Sequence, residues 1–530
     1  MNGEGACRRI WLILGLAALL PWGPGPAGAA GQTEPAPGAS PSPDVGPPHP
    51  LDLVPIEGLP QRNIILIIGD RHRQDALSGS GHPWLETPHL DRLAQRGARF
   101  THAFSTAPDP AATNRTLLTG LYLHRHKAGE RDGPTPVLFP RFLRHLGYET
   151  AFVGCWKVAD PADPPADAFD HRVVFRDDAA TYAPGKGRFR VDGKETRRRS
   201  YLADEIADYA VRWLTNRKGA RPFFLMVAHG GEGPPWRPAG RHIEQYTGRA
   251  PPLTIPSPQE DLEAPLWMRN RRNSAGGIEF PFPGPADAAE TYRAYAETLL
   301  AVDDSVGRLM QFLREKEWEA STLVLYTSDG GYLFGEHGLA GSRALCDGAC
   351  RVPLLLQCPG FIPEGRMVQA LAADVDLLPT LLEAAGRRPP DGLDGKSLLP
   401  LAEGKEVEWR DGVLLAYFWD PEFPQTPTLH GLRTQRYRYA RPYGVWDLEE
   451  LYDLESDPSE TRNLALNPAH ASLLVSLREN LRAALEETEG LTLQIPVPAA
   501  QPRVERKADG SGPASFPAQW LEESPPKAQK

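Results

Sequence analysis

One stretch limits the folds open to this chain more than any other: Asn63-Ile-Ile-Leu-Ile-Ile-Gly69. Its five central residues are all large and aliphatic, and four of them are β-branched. No polar residue interrupts them, so a strand built from them has no face for water. Such runs are strands of parallel sheets covered by helices on either side. Asp70 follows directly. Ligands of open α/β sheets collect outside the carboxyl ends of the strands, so this carboxylate stands where chemistry is expected.

The same grammar recurs downstream. A helix over 138–146 leads to a strand over 150–154, and a helix over 202–215 leads to a strand over 222–229. A long helix presents Tyr292, Tyr295, Leu299, Val302, Val306, Leu309 and Leu313 at three- and four-residue steps, a core-facing stripe. It feeds a strand over 322–328 that ends at Asp329, and a strand over 352–357 and a helix over 375–385 follow. Alternation of this length predicts a layered α/β domain over residues 61–400. After Pro400 the texture changes. Short strands over 412–418, 431–440 and 450–454, then a helix over 469–485, predict a small antiparallel α+β subdomain spanning 401–495.

The two ends read differently. Arg8-Arg9, an apolar run from Ile10 to Trp22 and the small residues Ala27-Gly28-Ala29 make residues 1–30 an export signal. That run falls short of the roughly 20 apolar residues of a membrane span, and no later run reaches that length. Residues 31–60 are rich in Pro, Gly, Ser and Ala and read as a flexible linker, and 496–530 as a disordered, proline-rich tail. The expectation is an exported chain with no membrane span after processing. A net charge of −10 argues against nucleic acid as a partner. Cys7 leaves with the signal, and the spacing of Cys155, Cys346, Cys350 and Cys358 fixes no disulfide framework.

The stretch Thr106-Ala-Pro-Asp-Pro-Ala-Ala-Thr-Asn-Arg-Thr-Leu-Leu-Thr-Gly120 resembles the nucleophile segment of the sulfatase family, Ala-Pro-x-Cys-x-Pro-Ser-Arg-x-x-x-Leu-Thr-Gly. Further matches follow in order. Asp70-Arg71-His72-Arg73-Gln74-Asp75-Ala76-Leu77 is similar to the family's Asp-Asp-x-x-x-Asp-x-Leu, and the stretch from Tyr148 to Lys157 to Tyr-x-Thr-x-x-x-Gly-Lys-Trp-His. Thr327-Ser-Asp-Gly-Gly-Tyr332, Gly335-Glu-His-Gly-Leu339 with Arg351-Val-Pro-Leu354, and the stretches 432–439 and 451–464 complete the series. The resemblance covers Arg62 to Leu464. It implies an alkaline-phosphatase-like fold: a mostly parallel central sheet flanked by helices, plus the small C-terminal subdomain.

Family chemistry uses an oxidised cysteine or serine as nucleophile, a divalent cation (usually calcium), basic residues on the sulfate oxygens, and histidines that move protons. By that resemblance this chain departs at nearly every position. Pro110 stands at the nucleophile and Asn114 at the arginine. Cys155 replaces the first lysine and Lys157 its histidine neighbour, while Gly230 and Gly233 replace a lysine and a histidine, and Ser342 the last lysine. Of the metal ligands Asp70 and Asp329 remain, with Arg71 and Gly330 in place of the others.

Two carboxylates at short range need a cation or one of them protonates. Either Arg71 pairs with Asp70 and Asp329 in place of calcium, or it turns to solvent over a decayed pocket; residual calcium is the remaining option, and no other cofactor is expected. Arg71, Lys157 and Arg115 are candidates for recruiting an anion; a solvated side chain is the alternative for Lys157, and Arg115, one residue past the family arginine's place, should point elsewhere. Thr113 and Thr116 are the hydroxyls nearest the nucleophile position. Cys155, Cys346 and Cys350 would make a zinc site only if the fold brought them together, and buried thiols are the simpler outcome. Asn114-Arg-Thr116 is a glycosylation sequon inside a pocket-forming segment. These residues point to a non-catalytic pseudo-sulfatase binding a sulfated glycan or a protein partner. The alternatives are an ester hydrolase with a non-family nucleophile and a structural protein without a ligand.

Overall fold

A strand buried on both faces needs two cores, and the structure supplies them. β1 (Asn63–Gly69) lies inside the main sheet with a parallel neighbour on each side. Ile64, Leu66 and Ile68 join one hydrophobic cluster and Ile65 and Ile67 another, all at 1 % exposure or less. The computed structural model describes residues 52–128, 137–158, 163–176, 187–230, 236–254, 264–272, 285–420 and 423–492. The export signal and the tail expected at the two ends, and Gly233, lie outside them.

The other strands of the first half are β2 (Ala98–Phe104), β3 (Glu149–Cys155), β4 (His171–Arg176), β5 (Arg188–Val191), β6 (Lys194–Arg197) and β7 (Phe223–Ala228). β8 (Thr322–Ser328), the two-residue strands β9 (Leu333–Phe334) and β10 (Ala340–Gly341), β11 (Leu354–Gln357) and β12 (Arg366–Ala373) follow. Ten of these form one sheet in the order β12-β2-β11-β8-β1-β7-β3-β4-β5-β6. It is parallel from β8 to β4, β11 runs antiparallel between β8 and β2, and β5 and β6 extend the far edge antiparallel. The α/β, mostly parallel architecture expected from the alternation is therefore the one observed.

β13 (Gly412–Tyr417), β14 (Thr428–Thr434), β15 (Tyr437–Tyr443) and β16 (Glu450–Asp453) form the second, antiparallel sheet. Helix Ala471–Glu487 buries Leu474, Leu477, Leu481 and Leu485 in the same cluster as this sheet. Here the pattern misled. The single strand expected over 431–440 is a hairpin, β14 and β15, whose turn at Gln435-Arg436 carries no Gly, Pro or Asn to announce it. Thr434 does the work instead: its hydroxyl accepts from the Tyr437 N–H at 2.8 Å and donates to the Tyr437 carbonyl at 3.2 Å. β2 and β12 were not expected either, because polar residues break their apolar runs where the sheet is only partly covered. The last residues of the expected linker are anchored, with Ile56 N–H donating to Gly386 O and Arg388 N–H to Val54 O.

Register then assembles the site. Gly69 is paired with Ser328, Ile68 with Ala228, and Ala228 with Gly154. The next residues along these four neighbouring parallel strands are Asp70, Asp329, His229 and Cys155, so all four arrive at one edge of the sheet. Gly154 has φ of +132°, and a Cβ there would lie 1.9 Å from the Ala228 carbonyl oxygen, so only glycine lets β3 and β7 approach this closely.

The C-terminal sheet is fixed by a buried charge cluster. Arg438, fully buried, donates to Glu450 and to Glu460, each at 2.9 Å, and lies over the Tyr452 ring. Removing one member leaves uncompensated buried charge, which typically costs about 3–5 kcal/mol. Arg438→Met is expected to lose that much in urea unfolding; a loss below about 1 kcal/mol would show that the cluster does not hold the sheet.

Candidate functional site

Asp70 and Asp329 are almost fully buried, at 3 % and 1 % exposure, and belong to adjacent strand ends. Burial raises the pKa of Asp329, with the charge of Asp70 adding to it and Lys157 opposing it. The cation between the two carboxylates is Lys157. Its ammonium contacts Asp70 Oδ1 and lies 2.9 Å from Asp329 Oδ2. Burial alone would lower the pKa of Lys157, but Asp329 and Asp70 together hold it well above the ordinary lysine value, so it stays charged. Lys157 follows β3 by two residues and reaches the pair from the side of that strand.

This corrects the expectation for Arg71. Its Nε is 3.9 Å from Asp70 Oδ1, and it meets Asp329 through its backbone N–H, which donates to Oδ1 at 3.0 Å. The backbone of Arg71 is left-handed, with φ of 57°, and its guanidinium carbon lies 5.6 Å from the centroid of the Tyr332 ring. The bridge expected of Arg71 is thus made by Lys157, whose ammonium is committed to carboxylates and not to a recruited anion.

Helix Pro110–Thr119 opens onto the same centre. Asp109 caps it by accepting from the Ala111 and Ala112 N–H groups, and Pro110 occupies its first turn, where a missing N–H costs nothing. One turn on, the Asn114 side-chain amide donates to Pro110 O at 2.7 Å and to Asp329 Oδ2 at 3.2 Å. A neutral amide on Asp329 therefore stands where the resemblance implies an arginine. Asn114 and Thr116 are buried, so the sequon is not accessible in the folded protein. Thr113 is no free hydroxyl: it is fully buried, donates to Ala107 O at 2.6 Å and shares a 3.0 Å hydrogen bond with Ser105. Thr116 is likewise buried against His126 Nε2 at 3.1 Å. Arg115 lies buried in the helix, its carbonyl accepting from Thr119.

The remaining substitutions fit one another. A Cβ on Gly230 would come within 2.3 Å of Cys155 Sγ, so the thiol occupies room that only glycine leaves. Two positions where the resemblance implies lysines are filled by this Cys-Gly contact. His229, fully buried, has Nε2 3.3 Å from Ser305 Oγ, and burial with the nearby Lys157 charge lowers its pKa to about 4. His72 is equally structural: its ring nitrogens meet the Tyr326 hydroxyl at 2.6 Å and Ala76 O at 3.0 Å.

Sequence reasoning missed a basic cluster. Tyr332 senses Arg71, Arg271 and Arg343, each of which opposes the rise in its pKa that burial causes. Arg271 is buried and donates to the carbonyls of Ser342 at 2.6 Å, Arg343 at 2.9 Å and Ala340 at 3.3 Å. Ser342 itself is buried beneath it. Arg343 approaches Asp109 at 3.4 Å and stacks on Phe423, 3.5 Å from the ring centroid. No local motif marks Arg271, whose helix, Leu266–Arg272, lies far along the chain from the loop it braces.

The residues do not fit the calcium that the resemblance implies. An ammonium sits between the two remaining carboxylates, and the other two ligand positions, Arg71 and Gly330, offer no side-chain oxygen.

Comparison with known proteins agrees with the fold. The profile of the family described as Sulfatase matches residues 62–387, and that described as N-sulphoglucosamine sulphohydrolase, C-terminal, matches residues 335–487. The chain is 27 % identical over 492 residues to the N-acetylglucosamine-6-O-sulfatase of Bacteroides thetaiotaomicron, covering 81 % of this chain and 86 % of that one. It is 27 % identical over 483 residues to the multifunctional alkaline phosphatase superfamily protein PehA of Trinickia caryophylli, covering 78 % and 93 %. Among solved structures, one in complex with its substrate D-glucosamine-2-N,6-O-disulfate superposes with a TM-score of 0.73 at 25 % identity, over 82 % of this chain and 99 % of that one.

Two outcomes test the site. Lys157→Met leaves two buried carboxylates without their cation and is expected to lose about 3–5 kcal/mol; millimolar calcium should restore part of it, while the unaltered protein should melt at the same temperature with and without added calcium. A calcium-dependent melting temperature in the unaltered protein would overturn the assignment. His229, held neutral with its folded pKa below the ordinary 6.5, contributes stability that is complete above pH 6.5 and lost as pH falls toward about 4. His229→Gln should flatten that loss, on the order of 3 kcal/mol between those limits, when unfolding free energies of the two proteins are compared across the range.

Proposed function

The chain belongs to the sulfatase family, and we propose that it is an exported, non-hydrolysing member that binds a sulfated saccharide beside Arg71 and Arg343. The observation that carries the loss of hydrolysis is the Lys157 ammonium seated between Asp70 and Asp329. A tethered monovalent cation with its donors directed at carboxylates leaves no open coordination position for a nucleophile or a sulfate oxygen. At the nucleophile's place is Pro110, which has no side-chain heteroatom, and the nearest hydroxyl, on Thr113, is buried and donates its proton to a carbonyl. Binding and hydrolysis part here. Hydrolysis needs groups that meet the transition state, whereas a ground-state anion needs only complementary charge.

The charge is present. Arg71 and Arg343, both partly exposed, flank Tyr332, and Arg271 braces the loop between Ala340 and Arg343. A planar guanidinium suits the oxygens of a sulfate ester. The relatives named as N-acetylglucosamine-6-sulfatases support an amino sugar sulfated at its 6-position as the ligand class. Export rests on Arg8-Arg9 and the apolar run that follows them.

The experiment pairs turnover with binding. The purified chain is expected to release no sulfate or phosphate from a panel of chromogenic esters beyond the rate of an Asp70→Ala control. It is expected to bind glucosamine 6-sulfate in calorimetry, with affinity falling about tenfold in Arg71→Ala, as loss of a charge-assisted hydrogen bond implies. Turnover that disappears in the Asp70→Ala control would make the protein an enzyme and end this reading. Affinity unchanged by Arg71→Ala would remove the saccharide from this position.

A further inference from the structure

A second cluster of chemically active side chains lies under the C-terminal sheet, apart from the strand ends. One ligand atom each from His337, Cys346 and Glu460 lie within 4.8 Å of one another. His337 comes from the turn between β9 and β10, Cys346 from just before the short helix Asp347–Cys350, and Glu460 from the loop after β16. Cys155 is not part of it, being packed on Gly230, and Cys350 is directed to Ala344 O at 3.5 Å. The three-cysteine site that the sequence left open is thus replaced by a His-Cys-Glu set. Only two of its members are near each other in the chain, so spacing could not reveal it.

We propose that Cys346, His337 and Glu460 bind one borderline-soft divalent cation, zinc being the best match, with a fourth position open to the adjoining cavity. Thiolate, imidazole and carboxylate are the three donor types zinc takes, and three protein ligands plus water is the pattern of an open tetrahedral site. Bonds of about 2.0–2.3 Å to zinc place tetrahedral donors roughly 3.3–3.8 Å apart. The present separations reach that by small side-chain rotations. Glu460 is already oriented for it. Its Oε1 accepts from Arg438 Nε at 2.9 Å and from the Asp347 N–H at 3.3 Å, while Oε2 is turned to His337 Nε2 at 3.1 Å. A ligating carboxylate whose other oxygen is held by hydrogen bonds is the usual outer-shell support of a metal.

Two of the three donors sit on strained backbone. His337 and Glu460 have φ of 56° and 52°, a left-handed conformation that non-glycine residues rarely adopt. Here it turns both side chains toward Cys346. A cavity of about 260 Å³ is lined by His337 and Glu460 together with Arg73, Glu336 and Ser459, and gives an ion and its water a way in. The charge of Arg438 is offset by Glu450 on its other side at 2.9 Å, so it does not stand alone against the cation. The donors bind as imidazole, carboxylate and thiolate, so protons carried by His337 and Cys346 leave to solvent as the metal bonds form.

The test uses the full chain, stripped with chelator and titrated with cobalt(II), which reports a thiolate ligand by a charge-transfer band in the near ultraviolet. The expected result is a band that saturates at one cobalt per chain and is abolished by one equivalent of zinc. Cys346→Ser should remove the band and weaken cobalt affinity at least about tenfold, while Cys350→Ser should leave both unchanged. No band in the unaltered protein overturns the proposal, and that arm needs no variant to fold. A band that survives Cys346→Ser, or is lost in Cys350→Ser, places the metal elsewhere and overturns it equally.

Discussion

Two aspartates at the ends of adjacent parallel strands, β1 and β8, are a fixed electrostatic problem for this fold. Register brings Asp70 and Asp329 side by side, and burial keeps water from screening them. Something positive has to stand between them. In this protein it is the ammonium of Lys157, delivered by the neighbouring strand β3. A tethered lysine lies within the chain and needs no ligand from solution, so it bridges the two carboxylates as soon as the sheet forms. The centre becomes a structural ion pair, and the strand ends are held together by it.

Other changes follow from that cation. With Lys157 on the carboxylates, further lysines at the Cys155 and Gly230 positions would crowd positive charge against it, and a thiol packed on a glycine fills the space without charge. Asn114 adds a neutral donor to Asp329 where an arginine would compete with Lys157. His229 is kept neutral by burial and by the same ammonium. These substitutions make one self-consistent packing solution rather than independent losses. Of the arginines nearby, Arg71 keeps a longer ion pair with Asp70 alone and lies by Tyr332, while Arg271 braces the loop from Ala340 to Arg343.

Much of this was legible in the chain. The aliphatic run before Asp70 required a doubly buried strand, and the strand over 322–328 was readable to the residue because its apolar block ends at a carboxylate. The hairpin at Gln435-Arg436 was not, because a threonine hydroxyl makes the turn and leaves alternation unbroken on both sides. β2 and β12 were hidden by polar residues that partial cover tolerates. At the site, the resemblance implied which groups had been replaced, and nothing local could identify what they contact. Arg271 carried no local signal, and the contacts of Glu460 were invisible for the same reason: each acts on a loop distant in sequence.

By itself, then, the sequence determined the layered α/β class, the placing of Asp70 and Asp329 at strand ends, and the presence of Pro110 where a nucleophile would be needed. Periodicity and residue chemistry carry the first two, and the third is what the resemblance to the family's nucleophile segment implies. Which cation joins the two carboxylates was decided only by tertiary structure. Arg71 is adjacent to Asp70 in the chain, yet its guanidinium pairs at 3.9 Å with Asp70 alone, while Lys157, two residues beyond the end of strand β3, reaches both acids. Contact in a parallel sheet is set by strand order and register, and neither is written in the distance between residues along the chain.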